Sequence, residues 1–133
     1  MMSQSQKSLD SKANALSVNL RWEERGKKKA FIIKLITEAK SCPYCGTELN
    51  LNNISLDHKT PFENSTARRD LQVHYKLDVP KNLQITCKKC NKIKGNLNDQ
   101  QFRSLLKFLD RDQQMKESVL KRLAQSNIIW RKH

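Results

Sequence analysis

Residues 56–61 read Leu-Asp-His-Lys-Thr-Pro and lie between two Cys-x-x-Cys pairs, Cys42/Cys45 and Cys87/Cys90. The Cys pairs are the strongest signal in the chain, because four thiolates presented by two tight turns select Zn²⁺ in a tetrahedral site. Such a site is closed to substrate, so we expect the zinc to be structural. Two disulfides or free thiols are the alternative, and in a reducing compartment this spacing favours zinc.

The pattern around the Cys pairs predicts two strands followed by a helix. Residues 54–58 form a short β-like run that ends before Pro61, and residues 83–86 alternate apolar and polar side chains as a second strand does. The second strand leads directly into the second Cys pair. Residues 91–94 then look helical, and Gly95 is a usual helix C-cap. We therefore predict a small α+β core held by a four-cysteine zinc site.

Helical segments are predicted at both ends of this core. Apolar residues recur at helical spacing before the first Cys pair, and after the core Asn98 or Asp99 and then Asp112 can cap two further helices. Residues 1–8 show no periodicity and are expected to be disordered. We divide the chain into an N-terminal disordered or helical basic arm (1–27), a core (28–98) and a C-terminal helical extension (99–133).

Residues 62–81 are interpreted as a long polar connection, and loops of this length are usually functional or mobile. His74 within it is expected to be structural or to contact nucleic acid. The role of the connection as a whole is left open by the sequence.

Net charge points to a polyanionic partner. The chain has 26 basic and 13 acidic residues, a net charge of +13, and residues 1–41, 42–98 and 99–133 each carry a positive excess. Solubility alone could explain a smaller excess, but this one favours a phosphate backbone. We see no signal peptide and no apolar run long enough to span a membrane, and we expect a cytoplasmic protein.

Asp57, His58 and Asn91 form the second constellation with chemical meaning. A carboxylate and an amide carbonyl suit a hard cation such as Mg²⁺, and the imidazole can take a proton from water near neutral pH. A metal, a base and basic surroundings are what phosphodiester hydrolysis requires. Taken singly, each residue could instead be a turn, surface or helix residue.

Three ordered motifs resemble the HNH endonucleases of the zinc-binding ββα-metal type over roughly residues 28–98. They are Cys-Pro-Tyr-Cys-Gly at 42–46, Leu-Asp-His-Lys-Thr-Pro at 56–61, and Asn-Leu-Gln-Ile-Thr-Cys-Lys-Lys-Cys-Asn-Lys-Ile-Lys-Gly-Asn at 82–96. The resemblance implies a ββα-metal core with helical N- and C-terminal extensions. It also implies metal-dependent cleavage that leaves a 5′ phosphate and a 3′ hydroxyl.

By the same resemblance, His58 is the general base and Asn82 braces the loop between the strands. Asp57 and Asn91 are ligands of a catalytic Mg²⁺ or Mn²⁺, and Lys94 steadies the scissile phosphate. The chain departs from the family pattern in two places. Asn91 stands where the third motif residue is usually His, and the connection between Pro61 and Asn82 is longer than usual and lacks a Gly pair.

The sequence therefore predicts a DNA endonuclease or nicking enzyme acting on double-stranded DNA. The alternative is a non-catalytic zinc module that only binds nucleic acid. By analogy with other small free-standing HNH proteins, a phage or mobile-element origin is favoured, and the oligomeric state is open. The candidate phosphate contacts are basic side chains near the core: Lys27, Lys28, Lys29, Arg68, Arg69, Lys88, Lys89 and Lys92.

Overall fold

The computed structural model describes the backbone of residues 4–22 and 26–132, and the side chains of residues 6–22 and 26–126. Its elements, in chain order, are α1 (Gln4–Ser17), α2 (Lys28–Glu38), β1 (Ile54–His58), α3 (Ser65–Arg68), α4 (Leu71–Leu77), a 3₁₀ turn (Pro80–Asn82), β2 (Leu83–Cys87), α5 (Lys88–Lys94), α6 (Asp99–Leu109) and α7 (Gln113–Lys132). The two strands pair antiparallel. The predicted α+β class, with two strands leading into a helix and further helices at both ends, is confirmed.

The hairpin presents a different set of side chains on each face. The register pairs Ile54 with Cys87 and His58 with Leu83. Because strand side chains alternate between faces, Ile54 packs into one hydrophobic cluster while Ser55 and Asp57 contact α5. The hairpin therefore stands between an apolar layer and the α5 helix.

Two hydrophobic clusters include residues of the strands. The first joins residues of α1 and α2 to the hairpin, and its buried members are Ala13, Leu20, Ile32, Ile36, Ile54, Leu83 and Ile85. The second surrounds the cysteines, and its buried members are Cys42, Cys87, Cys90, Ile93 and Phe102. Side chains of α6 and α7 close the second cluster from outside. Each cluster is small, and chains with small cores often draw further stability from a bound metal.

The N-terminal segment is more ordered than its sequence suggested. Disorder was expected over residues 1–8, but α1 begins at Gln4; residues 1–3 lie outside the described part. Leu9 and Ala13 pack against the cluster that contains Ile32, and tertiary packing of this kind stabilises a helix of weak intrinsic propensity. Gly26, with a φ of 87°, lies between α1 and α2.

The connection 62–81 is not a structureless loop. Asn64 caps α3 by accepting from the Ala67 N–H, and Asp70 caps α4 by accepting from the Gln72 N–H. Asn and Asp favour this position because their short side chains satisfy backbone donors that the helix leaves unpaired. The prediction of a long polar connection without secondary structure was wrong for this reason.

Caps also set the ends of the later helices. Asn98 and Gln101 form a capping box at the start of α6, and Asp112 accepts from the Met115 N–H at the start of α7. Gly95, with a φ of 55°, ends α5, which begins at Lys88 and so is three residues longer than predicted. Among the described residues, none of the helices has both the length and the apolar character that crossing a bilayer requires.

Phe102 and Phe108 of α6 allow a matched test of the second cluster. Phe102 is fully buried and meets the Tyr44 ring edge-on, whereas Phe108 is 52% exposed. Phe102→Ala should lower the free energy of unfolding by about 3–5 kcal/mol, whereas Phe108→Ala should change it by less than about 1 kcal/mol. Urea unfolding of both zinc-loaded variants measures the difference, and equal losses would contradict this packing.

Candidate functional site

The four cysteine sulfur atoms converge on one point. The Sγ atoms of Cys42, Cys45, Cys87 and Cys90 all lie within 4.8 Å of one another, and those of Cys45 and Cys87 are 3.7 Å apart. A tetrahedral site with Zn–S bonds of about 2.3 Å has sulfur atoms separated by about 3.8 Å. None of the four forms a disulfide. The spacing and the soft donor set therefore fit Zn²⁺, with no position left for a substrate.

The local backbone explains why the sulfur atoms meet. Gly46, with a φ of 78°, follows the first pair, and its N–H donates to the carbonyl of Cys42. In the second pair, Cys87 ends β2 and its Sγ accepts from the Cys90 N–H, which also caps α5. Burial and the neighbouring sulfur charges raise the pKa of Cys90. A divalent cation would offset this cost, because metal ligation requires the thiolate.

Asp57 of β1 is held by three side-chain partners. It is 1% exposed, and Lys94 Nζ lies 3.1 Å from Oδ1. The Tyr44 hydroxyl and the Gln84 side-chain amide both donate to Oδ2, at 3.0 and 2.8 Å. Burial and the Asp57 charge raise the pKa of Tyr44 well above its usual value, so the phenol remains a donor. Oδ2 is fixed by neutral groups, and Oδ1 is the oxygen that faces a cation.

Asn91 and Lys94 lie three residues apart on α5 and both contact β1. The Asn91 side-chain amide donates to Ser55 Oγ at 2.6 Å and to the Leu56 carbonyl at 3.2 Å. Lys94 is buried and also donates to the carbonyl of His58 at 2.8 Å. These bonds attach α5 to β1, and two of the predicted site residues, Asn91 and Lys94, make them.

Asn82 closes the connection between the strands. Its Oδ1 accepts from the Thr60 N–H at 2.8 Å, and its amide donates to the carbonyls of Thr60 and Leu77 at 3.0 and 2.9 Å. The Asn82 carbonyl also accepts from the Lys59 N–H. One side chain thus fixes both ends of the segment that separates β1 from β2, which is the geometry expected of a loop brace.

His58 lies at the end of β1 beside an aromatic ring and a buried carboxylate. Its Nε2 is 2.7 Å from Oδ1 of Asp78, and its ring packs edge-on against Phe62 at 5.4 Å between centroids. Oδ2 of Asp78 lies 2.7 Å from Nδ1 of His74. The cleft in front of these groups has a volume of about 920 Å³, and Asp57, Asn91 and Lys94 line it as well. Four of the five predicted site residues therefore line one cavity, and Asn82 does not line it.

The predicted phosphate contacts are spread over several surfaces. Lys29 pairs with Asp10 of α1, and Lys28 donates to the carbonyl of Leu20, which follows α1, so both attach α2 to the N-terminal segment. Arg68 lines the cleft with its guanidinium over the Phe62 ring.

A second groove is lined by Lys88 together with Lys7 and Lys12 of α1. Lys27, Arg69, Lys89 and Lys92 do not line either cavity. Of the predicted set, Arg68 is therefore the side chain best placed to meet a ligand in the main cleft.

Sequence reasoning missed Asp78, Tyr44 and Gln84. Asp78 is 3% exposed and its partner His58 is 20 residues away, so no local spacing connects them. The available signal was His74 followed by Asp78 at helical spacing, which places the two side chains on one face. Tyr44 stood between two cysteines and Gln84 on a strand, where neither position suggested contact with Asp57.

Comparison with known proteins supports the interpretation of this region. Residues 42–97 match the family model described as HNH endonuclease. The matched span contains the four cysteines, the hairpin and α5, and so coincides with the geometry described above. No curated protein and no solved structure matches the chain. The chain thus carries an HNH region with a four-cysteine cluster consistent with zinc, which indicates nuclease activity in general.

The cysteine cluster leads to a prediction about metal content. Purified protein should carry about one Zn²⁺ per chain, since four thiolates complete one structural site. Cys87→Ser should lose the metal and unfold or aggregate, because binding at such sites is coupled to folding. Elemental analysis and circular dichroism measure both effects, with Ser41→Ala as a control next to the first pair. Folded, zinc-free wild-type protein would contradict the assignment.

Proposed function

We propose that this chain is a metal-dependent endonuclease or nicking enzyme that hydrolyses phosphodiester bonds of double-stranded DNA. The observation that carries the proposal is the position of His58. It lies within the HNH-matched span, at the end of β1, and lines the main cleft beside Arg68 and Asn91. A partly exposed imidazole in a basic cleft is suited to take a proton from a water molecule that attacks phosphorus.

Two neighbouring residues, Asn82 and Phe62, support the position of His58. Asn82 fixes the backbone of residues 59 and 60, which follow the base directly. Phe62 supports one side of the imidazole. Because the efficiency of general base catalysis depends on the position of the base, these contacts support the role assigned to His58.

Asp57 Oδ1 and the side-chain carbonyl of Asn91 are the oxygen donors that would hold Mg²⁺ or Mn²⁺. The donor set fits, since Oδ1 already faces a positive charge while Oδ2 is held by Tyr44 and Gln84. A divalent cation supplies stabilisation of negative charge on the phosphate and on the leaving 3′ oxygen. Lys94, once released from Asp57, would be free to pair with a phosphate oxygen.

The charge of the chain supports nucleic acid as the substrate. A net charge of +13 gives a field that attracts a phosphate backbone, and binding of this kind weakens steeply with salt. Arg68 is the candidate phosphate contact that lines the main cleft, and Lys88 lines the second groove together with Lys7 and Lys12. We also propose a cytoplasmic location, where thiols stay reduced, and a phage or mobile-element origin by analogy.

A non-catalytic nucleic-acid-binding module is the second candidate. The observation in its favour is the buried ion pair between Asp57 and Lys94. Breaking such a pair without replacing the cation is strongly unfavourable, typically by about 3–5 kcal/mol. If the ion pair between Asp57 and Lys94 never opens, Asp57 contributes to the fold only and does not bind a catalytic cation. Plasmid nicking with Mg²⁺, with Mn²⁺ and with EDTA separates the two functions.

The role of His58 is tested by His58→Ala. The substitution should reduce the nicking rate by roughly 10²–10⁴, the usual contribution of general base catalysis. Zinc content and DNA affinity should persist, because His58 is not a zinc ligand and affinity comes mainly from phosphate contacts elsewhere. Added metal should not restore the rate. A variant that nicks as fast as wild type would remove His58 from the mechanism and favour the binding module.

Asn91→Ala tests the metal site separately. Loss of one oxygen ligand should raise the Mg²⁺ concentration needed for half-maximal nicking, and excess Mg²⁺ should recover part of the rate. Asn14→Ala is the matched control, since Asn14 is also a helical asparagine but is exposed on α1 and does not line the cleft. An unchanged Mg²⁺ requirement in Asn91→Ala would show that Asn91 does not bind the cation.

A further inference from the structure

Asp78 is a buried carboxylate that receives hydrogen bonds from three parts of the chain. Oδ1 lies 2.7 Å from His58 Nε2, and Oδ2 lies 2.7 Å from His74 Nδ1 and 2.9 Å from the Arg21 N–H. Asp78 is 3% exposed and comes from the connection between the strands, where the chain departs from the HNH pattern. Three hydrogen-bond donors from separate parts of the chain therefore hold one buried carboxylate.

The ionisation of Asp78 follows from these contacts. Burial raises its pKa, but the hydrogen bonds from His58, the Arg21 backbone and His74 outweigh burial and hold that pKa below its usual value. An ionised carboxylate can only accept hydrogen bonds. The proton in the 2.7 Å contact with His58 therefore resides on Nε2.

The tautomer of His58 determines which ring nitrogen can act as a base. A neutral imidazole carries one proton, so a ring protonated at Nε2 has an unprotonated Nδ1. We propose that Asp78 is the positioning residue of His58, fixing its Nε2–H tautomer and ring orientation so that Nδ1 receives the proton from water. This inference rests on the proposed nuclease function for its catalytic meaning, and on the geometry alone for the tautomer.

His74 holds the carboxylate in place. Its Nδ1 contacts Asp78, and its Nε2 lies 2.6 Å from the carbonyl of Arg68. Because the ionised carboxylate only accepts, Nδ1 is the donor in the contact with Asp78. His74 thus spans from the end of α3 to Asp78, while the Arg21 N–H contacts the same oxygen from the residues that follow α1. The connection 62–81 and the N-terminal segment together hold the partner of His58.

Asp78→Asn should reverse the tautomer of His58 while keeping the shape of the site. The amide that replaces the carboxylate has one acceptor oxygen, and two donors, Arg21 N–H and His74 Nδ1–H, compete for it on the Oδ2 side. The amide oxygen should take that side, leaving the NH₂ group to face His58 Nε2. An NH₂ group donates, so Nε2 must accept and the ring proton moves to Nδ1. Nδ1 can then no longer serve as a base.

Side-chain ¹⁵N NMR of imidazole-labelled, zinc-loaded protein tests the tautomer without any substrate. Wild-type His58 should be Nε2–H at mildly alkaline pH, and Asp78→Asn should convert it to Nδ1–H. Asp70→Asn is the matched control, because it removes one negative charge from the same connection but only caps α4. Asn caps a helix as well as Asp does, so Asp70→Asn should leave the His58 spectrum unchanged.

Single-turnover nicking supplies the second readout. Asp78→Asn should lower the rate by roughly 10²–10⁴, as loss of the correct tautomer of a catalytic His does elsewhere. DNA affinity should not change, and Asp70→Asn should nick at the wild-type rate. A purely structural role for Asp78 would instead lower stability and leave the tautomer and the rate of the folded fraction as in wild type.

Each outcome bears on the inference. A wild-type His58 found as Nδ1–H overturns it without any variant, even if Asp78→Asn fails to fold. An Asp78→Asn protein that is folded and nicks at the wild-type rate also overturns it. If wild type shows the Nε2–H tautomer but no nicking with Mg²⁺ or Mn²⁺, the nuclease proposal fails while the contact between Asp78 and His58 stands.

Discussion

Four sulfur atoms connect the two parts of this protein that are far apart in sequence. Cys42 and Cys45 lie before the hairpin, whereas Cys87 ends β2 and Cys90 lies in the first turn of α5. Because Cys87 also caps α5, the start of the helix is fixed at the four-cysteine cluster. The positions of Asn91 and Lys94 along α5 follow from that start.

Polar contacts complete the arrangement around the hairpin. Asp57, Asp78 and Asn82 are all bonded to partners that are distant in sequence, and the two acids are buried. Buried polar groups of this kind are costly unless fully bonded. When they are satisfied, they select one arrangement of the chain. The cleft is therefore defined by a network whose members depend on one another, rather than by a rigid apolar wall.

The sequence predicted the elements whose signals are local. The two strands, the Cys pairs, the α5 C-cap at Gly95 and the caps at Asn98 and Asp112 were all read from short patterns, and each was found. The short helices of 62–81 were missed because their only signals are two caps in a polar segment. The contact between His58 and Asp78 was missed because it depends on how that segment folds back, which no periodicity encodes.

The register of the hairpin has a consequence for how the chain can vary. Moving β1 by one residue against β2 would exchange the faces occupied by Asp57 and His58, so the register determines which face of the hairpin each side chain occupies. Asn82 bonds Thr60 across the base of the connection and so blocks such a slip. Lengthening the connection beyond this closure is inexpensive, since each doubling of a flexible loop costs only about 0.6 kcal/mol. The register of the strands therefore does not limit the length of the connection, whereas the contacts of Phe62 and Asp78 with His58 do, because an insertion that displaced either residue would release the imidazole without moving the strands.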